Sequence, residues 1–233
     1  MSRSKTYNIS CPSCGMQQGV ELFEAINVET EPELRQALLE NQLNRVECTD
    51  CGATFRVDMP MLYNDPKNKT LIHWMPEREG MTRDQIVEDF DEALEQINEA
   101  LPADVVAPIV RLVLTRVELV ELIFMIEAGL DQRVIEYVKY SIYTRNLEKV
   151  DPHKYRLLLN VQDSTEDELC FVMQDVETLL LGQILRYGRS AYQSMCELCE
   201  ETPDEFMDMF PGPCISARNL LLDDDEELEE QDE

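Results

Sequence analysis

The sequence predicts an α+β fold, and three observations carry that prediction. Two Cys-x-x-Cys-Gly knuckles, Cys11-Pro12-Ser13-Cys14-Gly15 and Cys48-Thr49-Asp50-Cys51-Gly52, sit among short strand-like runs with 33 residues between them. From Ile86 onward the apolar residues switch to helical spacing. Between those two regions, Met75-Pro76 and Gly80 bracket a charged run that reads as a boundary.

The first region, residues 1–76, reads as strands wrapped around one helix. Val20 to Val28 is strand-like. Glu31-Pro32 then opens a helix, because proline early in a helix gives up an N–H that has no partner there. Leu34, Leu38 and Leu39 supply its apolar face, and Arg45 to Asp58 and Leu71 to Trp74 read as further strands.

The knuckles carry the chemistry. A Cys-x-x-Cys turn brings two thiolates to one ion while backbone N–H groups face the sulfurs. Glycine after the second cysteine takes the positive φ that turns the chain away. Four thiolates, from Cys11, Cys14, Cys48 and Cys51, complete the tetrahedral shell of one zinc ion and leave no open position, which marks a structural site. A thioredoxin-like redox pair would need its knuckle at the start of a helix within a βαβ pattern. Neither knuckle is followed by a helical run, and unrelated core thiols would not come in matched pairs. The region is therefore expected to be a zinc-ribbon-like β module, with the helix near 31–41 inserted between the zinc hairpins.

Residues 77–222 read as an acidic, mostly helical domain. Thr82 caps a helix with Ile86, Phe90, Leu94, Ile97 and Leu101 on one side, ending at Pro102. Asp104 to Ala128 is expected to be one long helix. Gly129 suits its C-cap, and Asp131 caps another helix running to about Thr144. Tyr155 to Val161 and Leu169 to Val176 read as a small β-hairpin, followed by a last helix from about Glu177 to Glu200. The tail, 223–233, has 9 acids in 11 residues and is expected to be disordered, since such a run has almost nothing to bury.

Charge narrows the function classes. The chain carries 48 Asp and Glu against 20 Lys and Arg, a net of -28, and the excess of acid grows from -3 over 1–76 to -17 over 151–233. Nucleic-acid binders neutralise phosphates with basic residues, and anionic membranes attract basic clusters. This charge disfavours both and suits solubility or a basic protein partner. The N-terminus lacks the apolar core of a signal peptide, and the apolar stretch Val105 to Ile126 is broken by Arg111, Arg116, Glu118 and Glu121. A cytoplasmic location is expected, where cysteines serve as metal ligands or free thiols.

The residues also resemble a family. The CPSCG knuckle, the EPELRQALLENQLNRVEC stretch, the CTDCG knuckle and the LYNDP that follows occur in order and look like the CpXC domain, over about residues 7–76. The resemblance implies a zinc-binding module with no established activity. Thr49 stands where the second motif often has proline, which implies a looser turn. Asn64 stands where histidine would be expected, which implies no added histidine ligand. The helical part is similar to an extension that follows this domain in some members.

Weaker constellations remain. Cys196 and Cys199 form a third Cys-x-x-Cys pair, with Cys214 after it and Cys170 upstream, either a second metal site or partly buried thiols. His73 and His153 lie beside no nucleophile pattern, and Glu166-Asp167-Glu168 reads as a solvated loop. The leading expectation is a zinc-stabilised protein-interaction module with no catalytic residues. Its rivals are an enzyme with a pocket in residues 81–220 and a nucleic-acid-associated ribbon using Arg45, Arg56, Lys67 and Lys69.

Overall fold

The computed structural model describes residues 1–77, 80–100 and 107–223. The chain divides into two compact units, Met1–Leu119 and Val120–Glu233.

The first unit is built on a five-stranded sheet of order β1-β2-β5-β6-β7, from β1 (Arg3–Ser10), β2 (Gln17–Asn27), β5 (Met61–Asp65), β6 (Thr70–Trp74) and β7 (Ile109–Val113). The β1–β2 and β5–β6 pairs are antiparallel, whereas β2–β5 and β6–β7 are parallel. Strict alternation in β5 and β6 buries Met61, Tyr63, Ile72 and Trp74 on one face. The parallel step from β2 to β5 needs a long crossover. That crossover contains α1 (Pro32–Leu39) and the hairpin β3 (Arg45–Glu47) and β4 (Thr54–Arg56).

Helix α1 starts at Pro32 and buries Leu38, in line with the sequence. It stops because Asn41 takes a left-handed φ of 62°, while Gln42 and Leu43 turn back to donate to the carbonyl of Ala37. Arg116 donates to the Leu38 carbonyl. Helix α2 (Arg83–Ala100) opens with a capping box: Thr82 Oγ1 accepts from Gln85 N at 3.4 Å, and Gln85 Oε1 accepts from Thr82 N at 3.0 Å.

The expected long helix from Asp104 to Ala128 is corrected. Residues 107–128 contain β7 and then α3 (Arg116–Glu127), and residues 104–106 lie outside the described residues. Ile109-Val110-Arg111-Leu112-Val113 pairs in parallel with Thr70–Trp74, and this sheet pairing overrides the helical reading of the run. A second capping box restarts the helix, with Glu118 Oε2 accepting from Thr115 N at 3.0 Å and Glu118 N facing Thr115 Oγ1 at 3.4 Å. The Met75–Gly80 run, expected as a boundary, therefore lies between two strands of one sheet.

The second unit carries an antiparallel sheet of order β10-β9-β8, from β8 (Tyr155–Asn160), β9 (Glu168–Asp175) and β10 (Leu181–Gly188). Helices α4 (Gln132–Arg145), α5 (Arg189–Glu201) and α6 (Pro203–Met209) accompany it. Two expectations are corrected here. The hairpin near 155–176 gains a third strand, and the expected helix from Glu177 to Glu200 begins only at Arg189, because 181–188 completes the sheet against β9. Gly129 (φ 66°) and the Asp131 cap stand as read, the Asp131 carboxylate accepting from Val134 N at 3.1 Å. Met125, Val134, Ile135, Val138, Leu159, Leu169, Phe171, Tyr192 and Phe206 form its main core. Inside this unit Lys139 Nζ lies 2.7 Å from Glu121 and 2.7 Å from Glu136, all three side chains buried. Among the described residues, no helix is long and apolar enough to cross a membrane. Of the tail 223–233, expected to be disordered, Asp223 is described and ends a helical run, and 224–233 lie outside the described residues.

Candidate metal centre

The two knuckles fold alike because their sequences are alike. In the first, Cys11 N donates to Met16 O at 2.8 Å and Gly15 N to Cys11 O at 2.9 Å. In the second, Cys48 N donates to Ala53 O at 2.8 Å and Gly52 N to Cys48 O at 2.9 Å. Gly15 and Gly52 sit at φ 76° and 70°, and a Cβ at either would meet nothing within 4 Å. Glycine is required there by backbone conformation and not by space. The first knuckle joins β1 to β2, and the second joins β3 to β4, so each is presented by a hairpin.

The hairpins bring Cys11, Cys14, Cys48 and Cys51 together, with all four sulfurs within 4.8 Å of one another. Cys11 Sγ lies 3.7 Å from Cys51 Sγ, and Cys14 Sγ lies 3.6 Å from Cys48 Sγ. A disulfide would need about 2.05 Å, and the four are free thiols. Zinc–thiolate bonds of about 2.3 Å, arranged tetrahedrally, place sulfurs about 3.8 Å apart. The quartet thus fits one tetrahedral ion. Cys11 and Cys48 are buried, whereas Cys14 and Cys51 face solvent.

Electrostatics favour a cation at this point. Burial pushes the Cys11 thiol up, but the amides of Cys14 and Ser13 and the neighbouring sulfurs outweigh it and bring the thiol down to about 7. The Met16 amide favours a Cys14 thiolate, yet burial and the sulfurs of Cys51, Cys48 and Cys11 push that thiol up to about 12. One sulfur gives up its proton readily and makes the next one harder to ionise. A divalent ion removes that conflict, since metal binding releases thiol protons.

The hairpins are also tied to each other by a residue that the sequence did not single out. Gln18, on β2, accepts on Oε1 from Thr49 N at 2.9 Å and from Thr49 Oγ1 at 3.2 Å, and donates from Nε2 to Glu47 O at 3.0 Å. Proline at position 49 could not make the backbone bond. Thr49 therefore fixes its turn where a looser one was expected. Asn44, at φ 55°, acts similarly: its side chain accepts from Phe23 N at 2.8 Å and donates to Phe23 O at 3.1 Å. No local sequence signal marks either residue, because both bonds join segments more than twenty residues apart.

Other candidates are scattered. Cys170 is buried in β9, Cys196 and Cys199 pack against the second unit's core from α5, and Cys214 lies 4.0 Å from Asn219. Among the described residues they form no second group of metal-ligating side chains. His73 stacks edge-on against Phe90, with centroids 4.9 Å apart, and burial lowers its pKa. His153 is exposed in the turn before β8, and Glu166-Asp167 lies in the exposed loop before β9. Asn64 sits within β5, paired with Leu71. Arg45 contacts Gln42 and Thr54, and Arg56 is paired with Asp58 at 2.6 Å.

A family model described as CpXC protein matches residues 9–139, a longer span than the cysteine-bearing stretch. No curated protein and no solved structure matches the chain.

Proposed function

Because this chain belongs to the CpXC protein family, we propose that it is a zinc-stabilised protein-interaction module of the cytoplasm. Cys11, Cys14, Cys48 and Cys51 would hold one structural zinc ion. The observation that carries this reading is the closed set of four sulfurs at near-tetrahedral separations. Thiolate-only donor sets favour zinc, copper(I) or iron–sulfur clusters over hard cations. Bound zinc would supply no substrate position there. It would lock the β1–β2 and β3–β4 hairpins together and so position the surface of the first unit.

The partner in this reading is a basic protein, drawn by a net charge of -28. The nucleic-acid alternative is weakened by Arg45 and Arg56, whose guanidinium groups already contact Gln42, Thr54 and Asp58. The test is capture from native cell extract with the zinc-loaded full chain as bait. A basic protein recovered at low salt, and released as salt screens charge over roughly 10 Å at 0.1 M, is the expected result. Recovery of no protein at any salt would count against the interaction reading.

A further inference from the structure

Four large apolar side chains lie uncovered within six residues. Leu179, Leu180, Leu181 and Ile184 are 61%, 69%, 66% and 51% exposed. They occupy the turn after β9 and the first half of β10. Single exposed leucines are ordinary on protein surfaces, but a contiguous group marks a contact site.

The turn that presents them is tightly built. The Asp175 carboxylate accepts from Glu177 N at 3.1 Å, from Thr178 N at 2.7 Å and from Thr178 Oγ1 at 2.8 Å. Asp175 N donates to Leu180 O at 3.0 Å, and Gln174 Nε2 donates to Leu179 O at 3.2 Å. Leu179 itself is held at φ 59°, a left-handed conformation that leucine seldom adopts. The leucines are therefore fixed facing outward.

Behind them lies an open sheet edge. β10 is the outer strand of β10-β9-β8, and among the described residues no strand pairs with its far side. Ile184 pairs with Val172 and Val172 with Leu158, so an apolar row crosses the sheet to that edge. Proteins usually guard such edges with charge or proline. Residues 181–185 contain neither, and the first charge along the strand, Arg186, is paired with Glu168 at 3.6 Å.

Charge chooses the occupant. Residues 120–223 carry 9 Lys and Arg against 19 Asp and Glu, a net of -10. A second copy would bring its own -28 to the contact and be repelled. Exposed Glu177 borders the turn end of the edge, whereas Glu168 at the other end is already paired with Arg186. We propose that the β10 edge, with Leu179, Leu180, Leu181 and Ile184, docks an extended, apolar and basic segment of a partner protein. The segment adds as a fourth strand beside β10. Backbone pairing gives it affinity, and its alternate side chains read the leucines and Glu177. This inference rests on the interaction reading above and names its surface.

The test uses the zinc-loaded full chain and a fluorescein-labelled peptide alternating lysine with valine, followed by anisotropy. Its counterpart alternating glutamate with valine is the control. The lysine peptide should bind saturably and the glutamate peptide should not. Leu181→Glu and Ile184→Glu should each weaken binding by about tenfold or more, as expected at the centre of a contact, with an unchanged melting temperature. Leu147→Glu, a substitution of another exposed leucine, should leave binding intact. No binding of the lysine peptide, or equal binding by the Ile184→Glu variant, overturns the proposal. So does a wild-type dimer that Ile184→Glu converts to monomer, which would assign the edge to a second copy. If native partners are captured equally by wild type and by Ile184→Glu, the interaction reading stands and this surface falls. If the wild type captures nothing and binds no peptide, both fall.

Discussion

Gln18 accepts the backbone N–H of Thr49 at 2.9 Å, and this bond joins the strand leaving the first cysteine knuckle to the turn of the second. The same side chain donates to Glu47 O at 3.0 Å, so one glutamine grips the second knuckle at two points. Residues 31 positions apart are thereby held in the register that gathers the four sulfurs. The clamp is made by protein groups alone.

Gln18→Ala is accordingly expected to weaken metal affinity by roughly 10–100-fold, the usual cost of losing a group that orients ligands, while the ligand set stays complete. Competition against a chromophoric chelator measures this. Thr49→Pro should behave in the same direction, because proline has no N–H to give Gln18. An unchanged affinity in both variants would show that the hairpins are aligned without the clamp.

The buried Glu121–Lys139–Glu136 cluster makes a pH prediction. Burial, and then the charge of Glu136, push the Glu121 carboxyl up to about 7 against the pull of Lys139. In the unfolded chain the same group titrates near about 4.3. Between those values the folded state holds a proton that the unfolded state has lost. The contribution of Glu121 to stability therefore declines as pH rises from about 4.3 to about 7. Glu121→Gln should flatten that part of the stability–pH curve in denaturant titrations. A curve parallel to that of the wild type would refute the assignment.

Removing Lys139 tests the same cluster from its centre. Lys139→Met leaves the two buried carboxyl groups without their cation, and breaking a buried pair in this way costs about 3–5 kcal/mol. The midpoint of urea unfolding should fall accordingly, with the Glu121→Gln/Lys139→Met double variant recovering part of the loss.

Metal removal should separate the two units in hydrogen exchange. The second unit has its own core, from Val134 and Ile135 through Phe171 to Phe206, and contains none of the four clustered cysteines. After chelation, amides of β2, β3 and β4 should lose protection while those of α4 and β9 keep it. Uniform loss across both would show that the units unfold together.

Much of this was legible in the sequence, and the misses share one cause. The knuckles, α1, α2, Gly129 and the Asp131 cap were readable because each is a local signal, complete within a few residues. The helical patterns over β7 and β10 give way because Ile109–Val113 becomes a strand by pairing with distant Thr70–Trp74, and Leu181–Gly188 by folding back across a turn onto Glu168–Gln174. Two local signals did mark those breaks. Thr115 and Glu118 form a capping box inside the supposed long helix, and Gly182 and Gly188 interrupt the supposed last one. In the candidate site the four-cysteine cluster is readable from spacing, whereas Gln18 and Asn44 are not, since their bonds form only after the chain has folded back.

The most direct measurement is the metal content of the full chain purified without chelator, by elemental analysis, alongside Cys48→Ser. The account predicts close to one zinc per chain in the wild type, because the quartet of Cys11, Cys14, Cys48 and Cys51 fits one tetrahedral ion. It predicts a marked loss in the variant, which removes one of the two buried ligands. A wild-type chain free of zinc, or a Cys48→Ser chain that keeps its full complement, would contradict it.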